Sequence, residues 1–201
     1  MANNPIPVYV FTGFLESGKT KFIQEILADP NFTENEVTAL LLCEEGIEEY
    51  DEKWLAHYGT ALVPVESEDR LTPNILKRIE QKYNPDRIIV EYNGMWKIEK
   101  LLEVLPKNWP VVQTFTMIDA STFEMYLSNM RSIMMELVKL SDVVIFNRCT
   151  KDTKKGSLRR SVKAANRQVQ IIYESIDGSD EDDDEDDLPF DLTADTIEIE
   201  D

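Results

Sequence analysis

The sequence predicts an α/β protein with a mainly parallel sheet of about seven strands covered by helices on both faces. Three observations carry that expectation. Short apolar runs alternate with longer segments of helical spacing over most of the chain. A glycine-rich string, GFLESGKT from Gly13 to Thr20, falls in the first strand-to-helix turn, where sheets of this class bind ligands. The length of 201 residues, 42% of them hydrophobic, suits one well-filled domain and is too short for two large ones.

In chain order, the strand candidates are VYVF near Tyr9, VTALLL over 37–42, ALVPV over 61–65, RIIVEY over 87–92, VVQTFTMI over 111–118, DVVIF over 142–146 and VQIIY over 169–173. Between them lie segments with helical spacing: KTKFIQEILA, IEEYDEKWLAHY, TPNILKRIEQKY, MWKIEKLLEVL, STFEMYLSNMRSIMMELVKL and TKKGSLRRSVKAANR. Residues 1–176 therefore read as one nucleotide-binding domain. Residues 177–201 read as an acidic tail, expected to be disordered because nine of the eleven residues in DGSDEDDDEDD are acidic. The apolar character regained in LPFDLTADTIEIED suggests a chain that continues past Asp201.

The formal charge of -18 is concentrated in that tail, which holds 14 acidic and no basic residues. The rest is only mildly acidic, and its single basic cluster, SLRRSVKAANR, reads as a solvated helix face. Nucleic acid is not an expected partner, because phosphate binding needs a basic surface. Cys43 and Cys149 form no CxxC pair, so neither a zinc ribbon nor a disulfide framework is indicated. No signal peptide precedes the first strand and no apolar run approaches the roughly 20 residues of a membrane helix, so a cytoplasmic location is expected.

GFLESGKT fits GxxxxGK[ST], a loop whose backbone N–H groups cradle phosphates. Gly13 and Gly18 let the chain approach the phosphates closely, and Ser17 and Gly18 lead into a helix whose N-terminus favours an anion. Lys19 reaches the terminal phosphates and Thr20 faces Mg²⁺. Glu16 is the unexpected member; it either points to solvent or meets a metal or basic partner. In RIIVEYNG, Glu91 at a strand end supplies the acidic group that holds Mg²⁺, and Gly94 follows as a sensor of the terminal phosphate. CEEGIEEYD places Glu44 and Glu45 at another strand end, with Asp51 beyond, as candidates to position Mg²⁺ or an attacking water. The base-reading motif NKxD is half present: Asn147 and Arg148 stand in DVVIFNRCTKD, but Thr150 replaces the aspartate, and Asp152 is the nearest substitute. Trp96 beside Gly94 either reports a switch or packs in the core.

These blocks resemble the CobW-like GTPases, relatives of the HypB and UreG metallochaperones in the SIMIBI class of phosphate-loop NTPases. The resemblance runs from about Pro7 to Tyr173 through TGFLESGKT, CEEGIEEYD, IIVEYNG, MIDAS, SDVVIFNR and LRRSVKAANRQVQI. It implies that Gly13, Gly18, Lys19 and Thr20 bind phosphates and Mg²⁺, that Glu91 and Gly94 form a switch, and that Asn147 and Arg148 border the base. It also implies GTP and Mg²⁺ as cofactors, with GTP hydrolysis coupled to metal delivery. The chain departs from the family in lacking its CxCC motif, since residues 52–73 hold no cysteine, and in lacking a recognisable C-terminal CobW domain. His57 alone reads as a surface or half-buried histidine. The leading expectation is a slow GTPase switch completed by a protein client or a second copy. A hydrolytically inert nucleotide-dependent binding module and a small-molecule kinase are the alternatives.

Overall fold

The computed structural model describes residues 4–33, 35–44, 46 and 49–176; Glu45 and the acidic tail, 177–201, lie outside the described residues. Seven strands form one sheet: β1 (Val8–Thr12), β2 (Thr38–Leu42), β3 (Thr60–Pro64), β4 (Arg87–Glu91), β5 (Val111–Asp119), β6 (Val143–Cys149) and β7 (Gln170–Ser175). Their order is β3-β2-β4-β1-β5-β6-β7, and every pairing is parallel. Parallel neighbours need crossover connections. These are supplied by α1 (Lys19–Ala28), α2 (Pro30–Thr33), α3 (Glu52–His57), α4 (Pro73–Tyr83), α5 (Ile98–Val104), α6 (Phe123–Asn129), α7 (Arg131–Lys139) and α8 (Lys155–Ala165).

The central strand is buried on both faces, which is why it reads as an unbroken apolar run rather than an alternating one. Val8 and Val10 pack with Leu76 and Ile79 of α4 and Leu101 of α5. Tyr9 and Phe11 face the other way, onto Ile23 and Leu27 of α1. Val144 and Phe146 of β6 meet Phe123, Val138 and Val162 from α6, α7 and α8. The sheet order sets β1 between β4 and β5, so the loop after β1 emerges mid-sheet beside the end of β4.

Besides the short α2, which the sequence reading did not expect, the structure departs from the expectation at three helix or strand ends. The long helix expected over residues 121–140 breaks at Met130 (φ −135, ψ 37). Just before the break, Ser128 Oγ donates to the Glu124 carbonyl and Asn129 Nδ2 to that of Met125, each at 2.8 Å, offering those carbonyls partners other than the helix ladder. The helix expected in IEEYDEKWLAHY shrinks to α3, because the Asp51 carboxylate accepts from the Lys53 and Trp54 N–H groups and fixes the start there. β6 runs on past Phe146 to Cys149, so Asn147 and Arg148 belong to the strand. Among the described residues no helix is long and apolar enough to cross a membrane.

The rings of Phe11 and Phe115 stack at 4.6 Å between centroids, and both are buried under α1. Phe115→Ala should therefore lower the unfolding free energy by about 3–5 kcal/mol in urea denaturation followed by circular dichroism. A loss under about 1 kcal/mol would contradict a core built on this stack.

Candidate functional site

The turn after β1 holds three residues with positive φ, and glycine supplies two of them: Gly13 at φ 141 and Gly18 at φ 92. A side chain at Gly13 would run into the Met117 carbonyl of β5, and one at Gly18 into the Asn147 amide. Gly94, after β4, is held for a different reason: a Cβ there would strike the Gly13 carbonyl. The loop is thus gripped from β4, β5 and β6 at once.

Lys19, the first residue of α1, is only 3% exposed. Its ammonium donates to the Gly13 carbonyl at 3.1 Å and the Phe14 carbonyl at 3.0 Å, and pairs with Glu44 Oε2 at 2.5 Å. Glu44 lies just past the end of β2, and its side chain is almost as buried as that of Lys19. A buried cation of this kind is stable only while it keeps a compensating anion and acceptors.

Thr20 and Glu91 come together beside it. Thr20 Oγ1 donates to Glu91 Oε1 at 2.8 Å, and the Tyr50 hydroxyl donates to Glu91 Oε2 at 2.6 Å. Burial pushes the Glu91 carboxyl up, and the Glu44 charge adds to this; hydrogen bonds from Tyr50 and Thr20 and the Lys19 charge oppose it without cancelling it. A hydroxyl and a carboxylate are hard oxygen donors. They fit Mg²⁺, which typically takes one or two carboxylates and completes its shell with water and substrate phosphates. Among the described residues no cluster of three or more His, Cys, Asp or Glu could hold a metal ion. Cys43, beside Glu44, is buried, and burial together with Glu91 and Glu44 pushes its thiol up to about 12.

A cleft of about 190 Å³ opens on these groups, lined by Glu16, Ser17, Lys19, Thr20, Glu44 and Glu91 among others. Glu16 sits at φ 60 with its side chain outward. A second cleft of about 350 Å³ shares Gly18 and Arg148 with the first and extends to Lys21, Phe22, Asn147 and Glu174. Asn147 Nδ2 donates to the Ser17 carbonyl at 2.7 Å, and Arg148 donates to the Glu16 carbonyl at 3.0 Å while pairing with Asp119 at 2.6 Å. Burial would raise the Asp119 carboxyl, but hydrogen bonds from Ser121 and Arg148 outweigh it and hold the group below the usual range.

The expected site residues divide accordingly. Gly13, Glu16, Ser17, Gly18, Lys19, Thr20, Glu91, Gly94, Asn147 and Arg148 meet around one loop. Asp51 does not join them: its carboxylate is spent on capping α3, and it lines neither cleft. Thr150 and Asp152 likewise line neither cleft. Glu45 lies outside the described residues. Trp96 packs edge-on against Tyr92 at 5.6 Å at the rim of the core, and His57 is exposed. Sequence reasoning missed Tyr50, which looked like part of an acidic helix, and Glu174, which carries no motif signal.

Because Gly94 touches backbone rather than a movable side chain, Gly94→Ala should cost about 1–3 kcal/mol of stability, read as a lowered urea midpoint. An unchanged midpoint would mean that the loop yields freely.

Residues 7–173 match the family model of the CobW/HypB/UreG nucleotide-binding domain. No curated protein matches the chain. Among solved structures, the Zn(II)-bound YjiA GTPase from E. coli is similar at 22% identity and a TM-score of 0.62, over 84% of this chain and 57% of that one. The hydrogenase maturation factor HypB from Archaeoglobus fulgidus is similar at 13% identity and a TM-score of 0.63, over 87% of this chain and 83% of that one. FlhF complexed with GTP and Mg²⁺ aligns at 12% identity and a TM-score of 0.51, over 86% of this chain and 65% of that one. The chain therefore spans less than two thirds of the length of YjiA. With a phosphate loop, its gripping glycines and a match across nearly all the described residues, the chain belongs to the CobW/HypB/UreG family through its nucleotide-binding domain.

Proposed function

We propose that the protein binds GTP with Mg²⁺ in the cytoplasm and hydrolyses it slowly, using the exchange as a conformational switch. The observation that carries this reading is the partner of Lys19. Its ammonium sits at the phosphate loop on an anion from another strand, Glu44. A nucleotide's phosphates are anions of the same sign and would take Glu44's place, while the Gly13 and Phe14 carbonyls keep Lys19 aimed. Glu44, once displaced, would carry the segment after β2 with it, and that segment includes Tyr50, which is bonded to Glu91. Two strand ends would thus respond to one ligand.

Thr20 and Glu91 would hold Mg²⁺, which neutralises phosphate charge during transfer. Glu91 accepts from Thr20 and Tyr50, so both carboxylate oxygens are oriented before any ligand arrives. Gly94, against the Gly13 carbonyl, would register the shape of the loop. The cationic side chain at the mouth, Arg148, is tied to Asp119, which favours a slow intrinsic rate and a completing group from a client or a second copy. Asp51 is engaged elsewhere as a cap and has no part in this reading; a role for Glu45 in positioning the attacking water is retained.

A link to metal homeostasis or metallocofactor assembly rests on what YjiA and HypB are named for, and residues 52–73 offer no thiolate toward it. A second reading, an inert binding module, is favoured by the same buried Lys19–Glu44 pair, since a pair too stable to exchange would block turnover.

Lys19→Ala should abolish Mg²⁺-dependent phosphate release from GTP, measured with purified protein in a phosphate-release assay. Release that persists at the wild-type rate would sink the assignment of this loop.

A further inference from the structure

The aspartate of the base-reading NKxD motif is replaced here by Thr150, whose backbone N–H donates to Thr153 Oγ1 at 2.8 Å. Asp152 is exposed and, like Thr150, lies off the cleft beside Asn147. One of the two carboxylates lining that cleft, Glu174, comes from another strand. β6 and β7 pair Phe146 with Tyr173 and Cys149 with Ser175, so β6 carries one extra residue between those points. The extra residue makes a bulge at Asn147 and Arg148, the latter at φ 53, and Glu174 is the β7 residue opposite it.

The strand alternation decides which way Glu174 faces. Tyr173 stacks on Phe146 in the cluster shared with α8, whereas Ile172 packs on the α1 side. Glu174, two residues beyond Ile172, is on the α1 side as well, and it lines the cleft of about 350 Å³ together with Lys21 and Phe22. Glu25 lines the same cleft, but its side chain is 59% exposed on α1 and pairs with Lys21 at 3.7 Å. Glu174 is half-buried. Asn147 is 8% exposed, and its Oδ1 has no hydrogen-bond partner, which marks the cleft as built for a ligand with polar edges.

We propose that Glu174 reads the guanine edge of the bound nucleotide in place of the missing aspartate, making it the residue that sets base specificity. This rests on the nucleotide-binding reading above. A carboxylate offers two acceptors, which match the N1–H and N2–H₂ donors of guanine. Adenine presents an acceptor at N1 and would leave the carboxylate opposed and unmatched.

The test is a titration of the full chain, with Mg²⁺, using non-hydrolysable analogues of GTP, ATP and xanthosine triphosphate, on wild type and Glu174→Gln. Wild type should prefer GTP over ATP. The carboxamide keeps one acceptor and replaces the other with a donor, matching the N1–H and O2 of xanthine. The variant should therefore lose GTP affinity by roughly ten- to hundredfold and bind xanthosine triphosphate more tightly than wild type does, a gain that misfolding cannot produce. A GTP preference that survives unchanged in the variant, or a wild type that binds ATP as well as GTP, would overturn Glu174 as reader and leave the phosphate loop standing. A wild type that binds none of the three would overturn the nucleotide reading as well.

Discussion

The buried ammonium of Lys19 is the constraint around which the rest of this site is arranged. A charge that is 3% exposed must be met by fixed acceptors and an anion, and the fold delivers them from two places. The Gly13 and Phe14 carbonyls come from the loop itself, and Glu44 comes from the end of β2. The loop can turn its carbonyls inward only because Gly13 and Gly18 adopt positive φ, and it can sit so low on the sheet only because Gly94 has no side chain. The strand order then matters for chemistry: with β4 next to β1, Glu91 ends within reach of Thr20.

The same neighbourhood is rich in negative charge for so buried a place. Glu44 and Glu91 face one ammonium; burial raises the Glu91 carboxyl, with Glu44 adding to it, and burial with the two carboxylates pushes the Cys43 thiol up to about 12. Cys43 is buried beside these carboxylates, surroundings that disfavour its thiolate. Two carboxylates sharing one cation favour release of one of them when a better anion arrives, which in the proposed function is how a phosphate would reach Lys19.

Much of this was legible from the residues. The central strands stood out because strands buried on both faces are compact apolar runs, and the loop stood out because its glycines, lysine and threonine come at fixed spacing. What stayed hidden depends on contacts between distant segments or on local competition for backbone groups. Asp51 looked like a site carboxylate because it ended an acidic string, but the first turn of α3 had unpaired N–H groups and claimed it. The helix break at Met130 hinges on side chains bonding carbonyls four residues back, which periodicity does not register. Glu174 carried no motif at all; only a one-residue offset between β6 and β7 sets it opposite Asn147 and Arg148.

The central claim is that Lys19 exchanges Glu44 for the phosphates of a nucleotide, and the most direct measurement is calorimetric titration of a non-hydrolysable GTP analogue with Mg²⁺ into wild type and Glu44→Gln. Removing the resident anion destabilises the ligand-free arrangement more than the bound one, so binding should tighten severalfold while stoichiometry stays the same. Weaker binding by Glu44→Gln would contradict the account, because Glu44 would then be a group that holds the ligand rather than one that yields to it.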